Sequence, residues 1–153
     1  MGDVTQRLAD AGFSIPEPPN AIGMYVPATR TDTLVFTSGQ LPTVNGELLA
    51  KGCVGETVAE IEAFSCAETC ALNALAAAAT VCDLDDVVRV LKLVGYVSSA
   101  SGFRSQAAVV NGASGVVVAA FGEAGRHARE AVGVARLPMD APVEVSIVLQ
   151  VGR

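Results

Sequence analysis

From Val143 to Val151 the chain alternates with period two. Val143, Val145, Ile147, Leu149 and Val151 point one way, and Glu144, Ser146 and Gln150 point the other. Such alternation predicts a half-buried β-strand whose apolar side faces a core. A one-residue slip would turn every one of these side chains over, so the pattern also sets the register. The chain is thereby committed to a sheet with one covered face, and Glu144 lies on the opposite, polar face.

The preceding segment, HAREAVGVA, reads as a second strand. Arg129 stands at its mouth and shares a face with Ala131, Gly133 and Ala135. Side chains that small leave room for a ligand or a neighbouring chain. A guanidinium beside such a floor suits a carboxylate, because its fork matches two oxygens. The competing reading makes Arg129 a structural salt-bridge partner. The short LPMDAP link makes the two strands antiparallel. Arg129 and Glu144 are then expected near opposite ends, on the order of 15–20 Å apart at ~3.3 Å per residue. Chemistry shared by the two would require Arg129 from one subunit and Glu144 from the next.

Composition narrows the classes. The 153 residues are 51% apolar and only 5% aromatic, without Trp, so Ala, Val and Gly must build the core. One domain is expected over 1–153, with 1–17 as an N-terminal helix and loop extension. Mean hydropathy is +0.46, which hints at apolar surface hidden in an oligomer. The net charge of −6 and the absence of a basic run give nucleic acid and anionic membranes no electrostatic footing. MGDVTQRLADAGF has no signal-peptide core, and the Ala-rich run near residue 75 is too short to span a bilayer. A cytoplasmic protein is expected. Cys53, Cys66, Cys70 and Cys82 fit a reducing compartment as small apolar residues. Cys66 and Cys70 are one helical turn apart, but no second ligand pair at zinc spacing accompanies them, so no metal is expected.

The remaining elements follow in order. Residues 3–12 read as a short helix ended by Gly12. SIPEPPN and AIGMYVPATR read as extended loop, with Gly23 and Pro27 bracketing Tyr25. Thr33–Thr37 reads as a buried strand, Asn45-Gly46 as a hairpin turn and Glu47–Ala50 as its return strand. A long helix is expected over about Thr57–Val81, with a capping box from Thr57 and Glu60 and a stripe of Ile61, Phe64, Ala71, Leu75 and Ala78. A strand lies within Leu84–Val97, and a second helix over about Phe103–Phe121 is closed by Gly125. The economical architecture is α+β, a sheet with both main helices on one face. The bare face must then meet something, and another subunit is the obvious candidate.

Few residues carry chemistry. His127 is the sole histidine, and nothing around the serines or cysteines resembles a nucleophile elbow. A structural role fits His127 best. Asn111 lies near the apolar face of its helix, where a buried Asn satisfies backbone groups. No phosphate-binding glycine motif is present, so no nucleotide cofactor is expected. What remains is Arg129, Glu144, Tyr25 on its Gly/Pro loop, and Ser38-Gly39, whose backbone N–H groups suit an anion.

Together AIGMYVPA, LVFTSGQLP, VNGAS and HAREAVGVARLPMDAPVEVSIVL resemble the reactive-intermediate deaminase (Rid, YjgF-like) superfamily over about Pro18 to Val151. The resemblance implies a chorismate-mutase-like α+β fold with a mixed sheet, and a homotrimer with three clefts between subunits. It implies hydrolysis of 2-aminoacrylate-type enamines and imines to 2-keto acids and ammonia, without metal or cofactor. Its carboxylate-binding arginine falls on Arg129, its water-holding glutamate on Glu144, its loop tyrosine on Tyr25 and its strand-end Ser-Gly on Ser38 and Gly39. The N-terminal extension and the NGAS to FGEAGRHAR region resemble a separate subgroup, and two residues depart from the deaminase branch. Ala131 replaces the cysteine usual two residues after the arginine, and Met24 replaces the proline usual after the loop glycine. Two other readings are a non-catalytic small-carboxylate binder or sensor and, more weakly, an endoribonuclease or translation inhibitor.

Overall fold

A computed structural model describes residues 2–18, 20–21 and 23–152; Pro19 of the proline loop and Ile22 of the tyrosine loop lie outside the described residues. The predicted final strand is present as β7, Val143–Val151, with strictly alternating burial. It lies at the centre of a five-stranded sheet ordered β1-β2-β7-β5-β6. Here β1 is Ala28–Thr31, β2 Leu34–Thr37, β5 Val87–Ser98 and β6 Ala128–Val134. Only β5 and β6 run parallel; the other pairs are antiparallel. The sheet is therefore mixed.

The period-two pattern decides which side is covered. Leu93 of β5 opposes Ile147, and both are buried. Helices α2 (Glu60–Ala78) and α3 (Gln106–Phe121) pack on that side and on each other. Their facing residues are mostly Ala, Val and Cys, which permits close approach. The short helix α1, Asp3–Asp10, buries Val4 and Leu8 against the outside of this layer. By length and composition Gln106–Gly125 passes for a membrane span, yet Val109, Val110, Val116 and Val117 are fully buried within the fold. On the other side of the sheet Phe36 and Val132 stay exposed. Among the described residues nothing covers them.

Several expectations need correction. Residues 28–30, read as loop, belong to the edge strand β1, which pairs with β2 alone. Asn45-Gly46 does make a tight turn, with φ of +52° and +82° as a primed turn requires. It joins β3 (Thr43–Val44) to β4 (Glu47–Leu48), a separate two-stranded ribbon. Helix α2 starts at Glu60, not Thr57. The Glu62 carboxylate accepts from the Ala59 N–H at 2.9 Å, while Thr57 Oγ1 accepts from the Cys53 N–H at 2.9 Å. Ala71, Leu75 and Ala78 of the expected stripe are fully buried, together with Ala63, Ala67, Cys70 and Ala74, so the covered face is wider than expected; Phe64 is half-buried and Ile61, in the first turn, is 72% exposed. Helix α3 ends at Phe121 as expected but starts at Gln106, not Phe103, and Gly125 closes a 3-10 turn that follows it.

Candidate functional site

Arg129 lies on the edge strand β6 opposite Leu93, so its side chain rises on the helix side of the sheet. There it meets α3. Nη1 donates to Asn111 Oδ1 at 2.7 Å and to Ser114 Oγ at 3.2 Å, and Nη2 donates to the Ala107 carbonyl at 3.4 Å. All three acceptors are neutral. The salt bridges among the described residues are Lys92–Glu130 and Arg126–Glu123, so Arg129 is not the structural ion-pair partner that composition alone suggests. Its charge is held in place and left without a counterion.

Asn111 is exposed and does not serve buried backbone groups; it orients Arg129 instead. His127 extends the same network. Its Nδ1 lies 2.6 Å from the Gly125 carbonyl, which can only accept, so the proton sits on Nδ1 in the neutral ring. Nε2, 2.9 Å from Ser114 Oγ, then accepts the serine hydroxyl. Ser114 in turn accepts from Arg129. Its place in sequence, seven residues before the end of α3 at Phe121, carries no local signal for this role.

Glu144 opposes Tyr96, on the helix-free side of the sheet. Burial pushes its carboxyl above the usual carboxylate range. Gly39, at the end of β2, lies directly beside it: a Cβ there would overlap the Glu144 carboxylate. Only glycine admits that approach. The Ser38-Gly39 donors are fewer than expected. The Ser38 N–H donates to the Pro27 carbonyl at 2.8 Å, and its hydroxyl donates to the Val26 carbonyl at 2.7 Å. Ser38 thus pins the tyrosine loop to β2. Tyr25 is half-exposed and, with Gly39, lines a small hollow of about 50 Å³.

The structure brings Glu144, Gly39 and Tyr25 to one end of the sheet and leaves Arg129 apart. Three residue steps along β6 and two strand spacings separate Arg129 from Glu144, roughly 14 Å between Cα atoms. This is slightly less than strand length alone suggests, because β6 and β7 overlap across β5. The two side chains also lie on opposite faces. A single chain therefore does not join them in one pocket.

Thiol chemistry has no foothold here. Burial, with help from Glu62, pushes the Cys66 thiol up to about 11. Full burial also pushes the Cys70 thiol well above its ordinary value, with Cys66 and Glu144 adding to it. Among the described residues no cluster of three metal-ligating side chains occurs.

Known proteins share this arrangement of elements. Residues 5–150 match the family described as "YjgF/chorismate_mutase-like, putative endoribonuclease". Protein TCP17 of Trypanosoma cruzi is 37% identical over 151 residues, 97% of this chain and 94% of that protein. A crystal structure of an Agrobacterium tumefaciens protein of unknown function superposes with a TM-score of 0.89 at 41% identity, covering 98% of this chain and 93% of that one. RidA from a Psychrobacter species superposes at 0.60 with 30% identity, over 88% and 94%. With nearly its whole length matched and its mixed α+β sheet in common, the chain belongs to the YjgF/chorismate-mutase-like family.

Proposed function

We propose that this chain is an enamine/imine deaminase. It hydrolyses 2-aminoacrylate-type intermediates to 2-keto acids and ammonia, in clefts between the subunits of a homotrimer in the cytoplasm. The observation that carries this reading is Arg129: a guanidinium fixed by three neutral acceptors, with no acidic partner among the described residues. A buried or half-buried cation without a counterion suits an anionic ligand, and a planar fork suits a carboxylate. The intersubunit cleft follows from the opposite faces of Arg129 and Glu144. The exposed Phe36 and Val132 supply apolar area for the contact.

The chemistry balances with these residues and solvent. An enamine first takes a proton from solvent at its terminal carbon and becomes the iminium. Arg129 of one subunit holds the carboxylate. Glu144 of the next accepts a proton from water as the oxygen bonds to the iminium carbon and the C=N π pair moves onto nitrogen, which gives the carbinolamine. Glu144 then returns that proton to the amino nitrogen, and the C–N bond breaks as the hydroxyl gives its proton back to solvent, leaving the 2-keto acid and ammonia. A raised carboxyl makes Glu144 a stronger base than a fully solvated one. Gly39 offers an N–H that makes no hydrogen bond among the described residues. Tyr25 stands beside it.

Ala131 favours one second reading, a protein that binds small carboxylates without turning them over, because it removes the cysteine that the resemblance leads one to expect. RNA cleavage has no matching support in a chain of net charge −6. The test is keto-acid and ammonia release from freshly generated 2-aminoacrylate. Release above the spontaneous rate is expected. Pyruvate binding without release would install the binding reading.

A further inference from the structure

The small hollow at Tyr25 and Gly39 opens beside a far larger groove of about 690 Å³. Asn20 and Thr43 line both. The groove runs between the proline loop, the β3–β4 ribbon and α2, with Pro16, Val44 and Leu72 among its apolar walls. A three-carbon imino acid needs none of this volume, which lies in the range of sites for far larger ligands.

One buried polar group faces it. Asn73 is only 2% exposed and lines the groove. Its Nδ2 donates to the Leu41 carbonyl at 2.9 Å, the Thr43 carbonyl at 3.0 Å and Thr43 Oγ1 at 3.3 Å. The Leu41 and Thr43 carbonyls can only accept, which settles which end of the amide is nitrogen. Oδ1 is left as an acceptor with no hydrogen bond among the described residues. Leu41 is two residues beyond Gly39, so this amide is tied to the same strand end that carries the hollow. Glu17 is the one charged residue among the groove's lining, and its sign discourages a second carboxylate.

Resting on the deaminase reading, we propose that the groove receives the far end of the substrate. The natural substrates are bulky 2-imino acids whose largely apolar side chain ends in a hydrogen-bond donor, directed to Asn73 Oδ1. Pro16, Val44 and Leu72 pack against the body of that side chain. Recognition then combines a carboxylate held by Arg129 of one subunit with a donor read by Asn73 of the next.

Three stable 2-oxo acids, the reaction products, test this by calorimetry on the intact protein. Pyruvate lacks the side chain, phenylpyruvate has the bulk without the donor, and 4-hydroxyphenylpyruvate has both. Affinity should rise in that order, by about tenfold for the terminal hydroxyl. Val44→Trp, on an exposed strand position, should collapse the ratio of 4-hydroxyphenylpyruvate to pyruvate affinity. Thr69→Phe narrows the opposite wall on α2 and should do the same if the first variant fails to fold. Equal affinity for all three acids, or a ratio unmoved by both variants, overturns the inference and means that the groove is covered by another subunit or unused. Arg129→Ala separates the two layers. If it spares pyruvate binding, the carboxylate reading fails whatever the groove does. If it abolishes binding of all three while wild-type affinities are equal, only the groove assignment fails.

Discussion

Asn111 Oδ1 accepts a 2.7 Å hydrogen bond from Arg129 Nη1, so an exposed helix residue aims the cation on which the proposed function rests. Removing the cation and removing its support should differ. Arg129→Ala should cost roughly 2–4 kcal/mol in kcat/KM, the range for deleting one side of a charge-assisted pair. Arg129→Lys should recover only part of it, since a point charge cannot reproduce the fork. Asn111→Ala should cost less and fall mainly on KM. Steady-state kinetics with freshly generated imine reads all three.

Ser114 and His127 form the next link. Ser114→Ala removes both the acceptor for Arg129 and the donor to His127, and should raise KM with little change in kcat. His127→Leu should do the same, because the hydroxyl loses its acceptor at Nε2. His127→Gln keeps an oxygen near that point and should restore much of the loss. Equal damage from Leu and Gln, tracking lost thermal stability, would reduce His127 to a packing residue.

Glu144→Gln should slow turnover by about 10²–10⁴-fold while sparing carboxylate binding. It should also stabilise the folded protein. A carboxyl raised by burial holds its proton more tightly folded than unfolded, so folding loses stability as pH rises from the ordinary carboxylate range through the raised value. The penalty is present in full above that value and absent well below it. Melting temperatures should therefore favour the Gln variant at neutral pH and converge with wild type in acid.

Gly39→Ala tests the close approach at the end of β2. The added methyl overlaps the Glu144 carboxylate and must displace it. Turnover should fall toward the Glu144→Gln level, with keto-acid binding much less affected.

Mixing two inactive variants tests the shared cleft. Trimers assembled at random from Arg129→Ala and Glu144→Gln chains should regain about one quarter of wild-type activity, because half the chains supply each group at each cleft. No recovery after verified subunit exchange would place both groups in one chain's site.

The central strand was legible because a period of two over nine residues admits one reading, and the same pattern put Glu144 on the bare face. Other features depend on contacts made far along the chain. Helix α2 has Glu three residues after both Thr57 and Ala59, and tertiary contacts choose the second: Thr57 is taken by the Cys53 N–H. Strand β1 has only four residues and one neighbour, so its loop-like composition hides it. Arg129 was legible as a candidate from the small residues around it. Its supports Asn111 and Ser114 sit 18 and 15 positions away on α3, where helical periodicity says nothing about a strand's arginine. The Ser38 N–H looked open to a ligand because sequence does not show the loop carbonyl that occupies it.

Keto-acid release from freshly generated 2-aminoacrylate, measured side by side for wild type and a trimeric Arg129→Ala variant, tests the account most directly. Wild type should accelerate release over the spontaneous reaction, and the variant should lose most of that acceleration. A folded, trimeric variant that retains wild-type hydrolysis would contradict it.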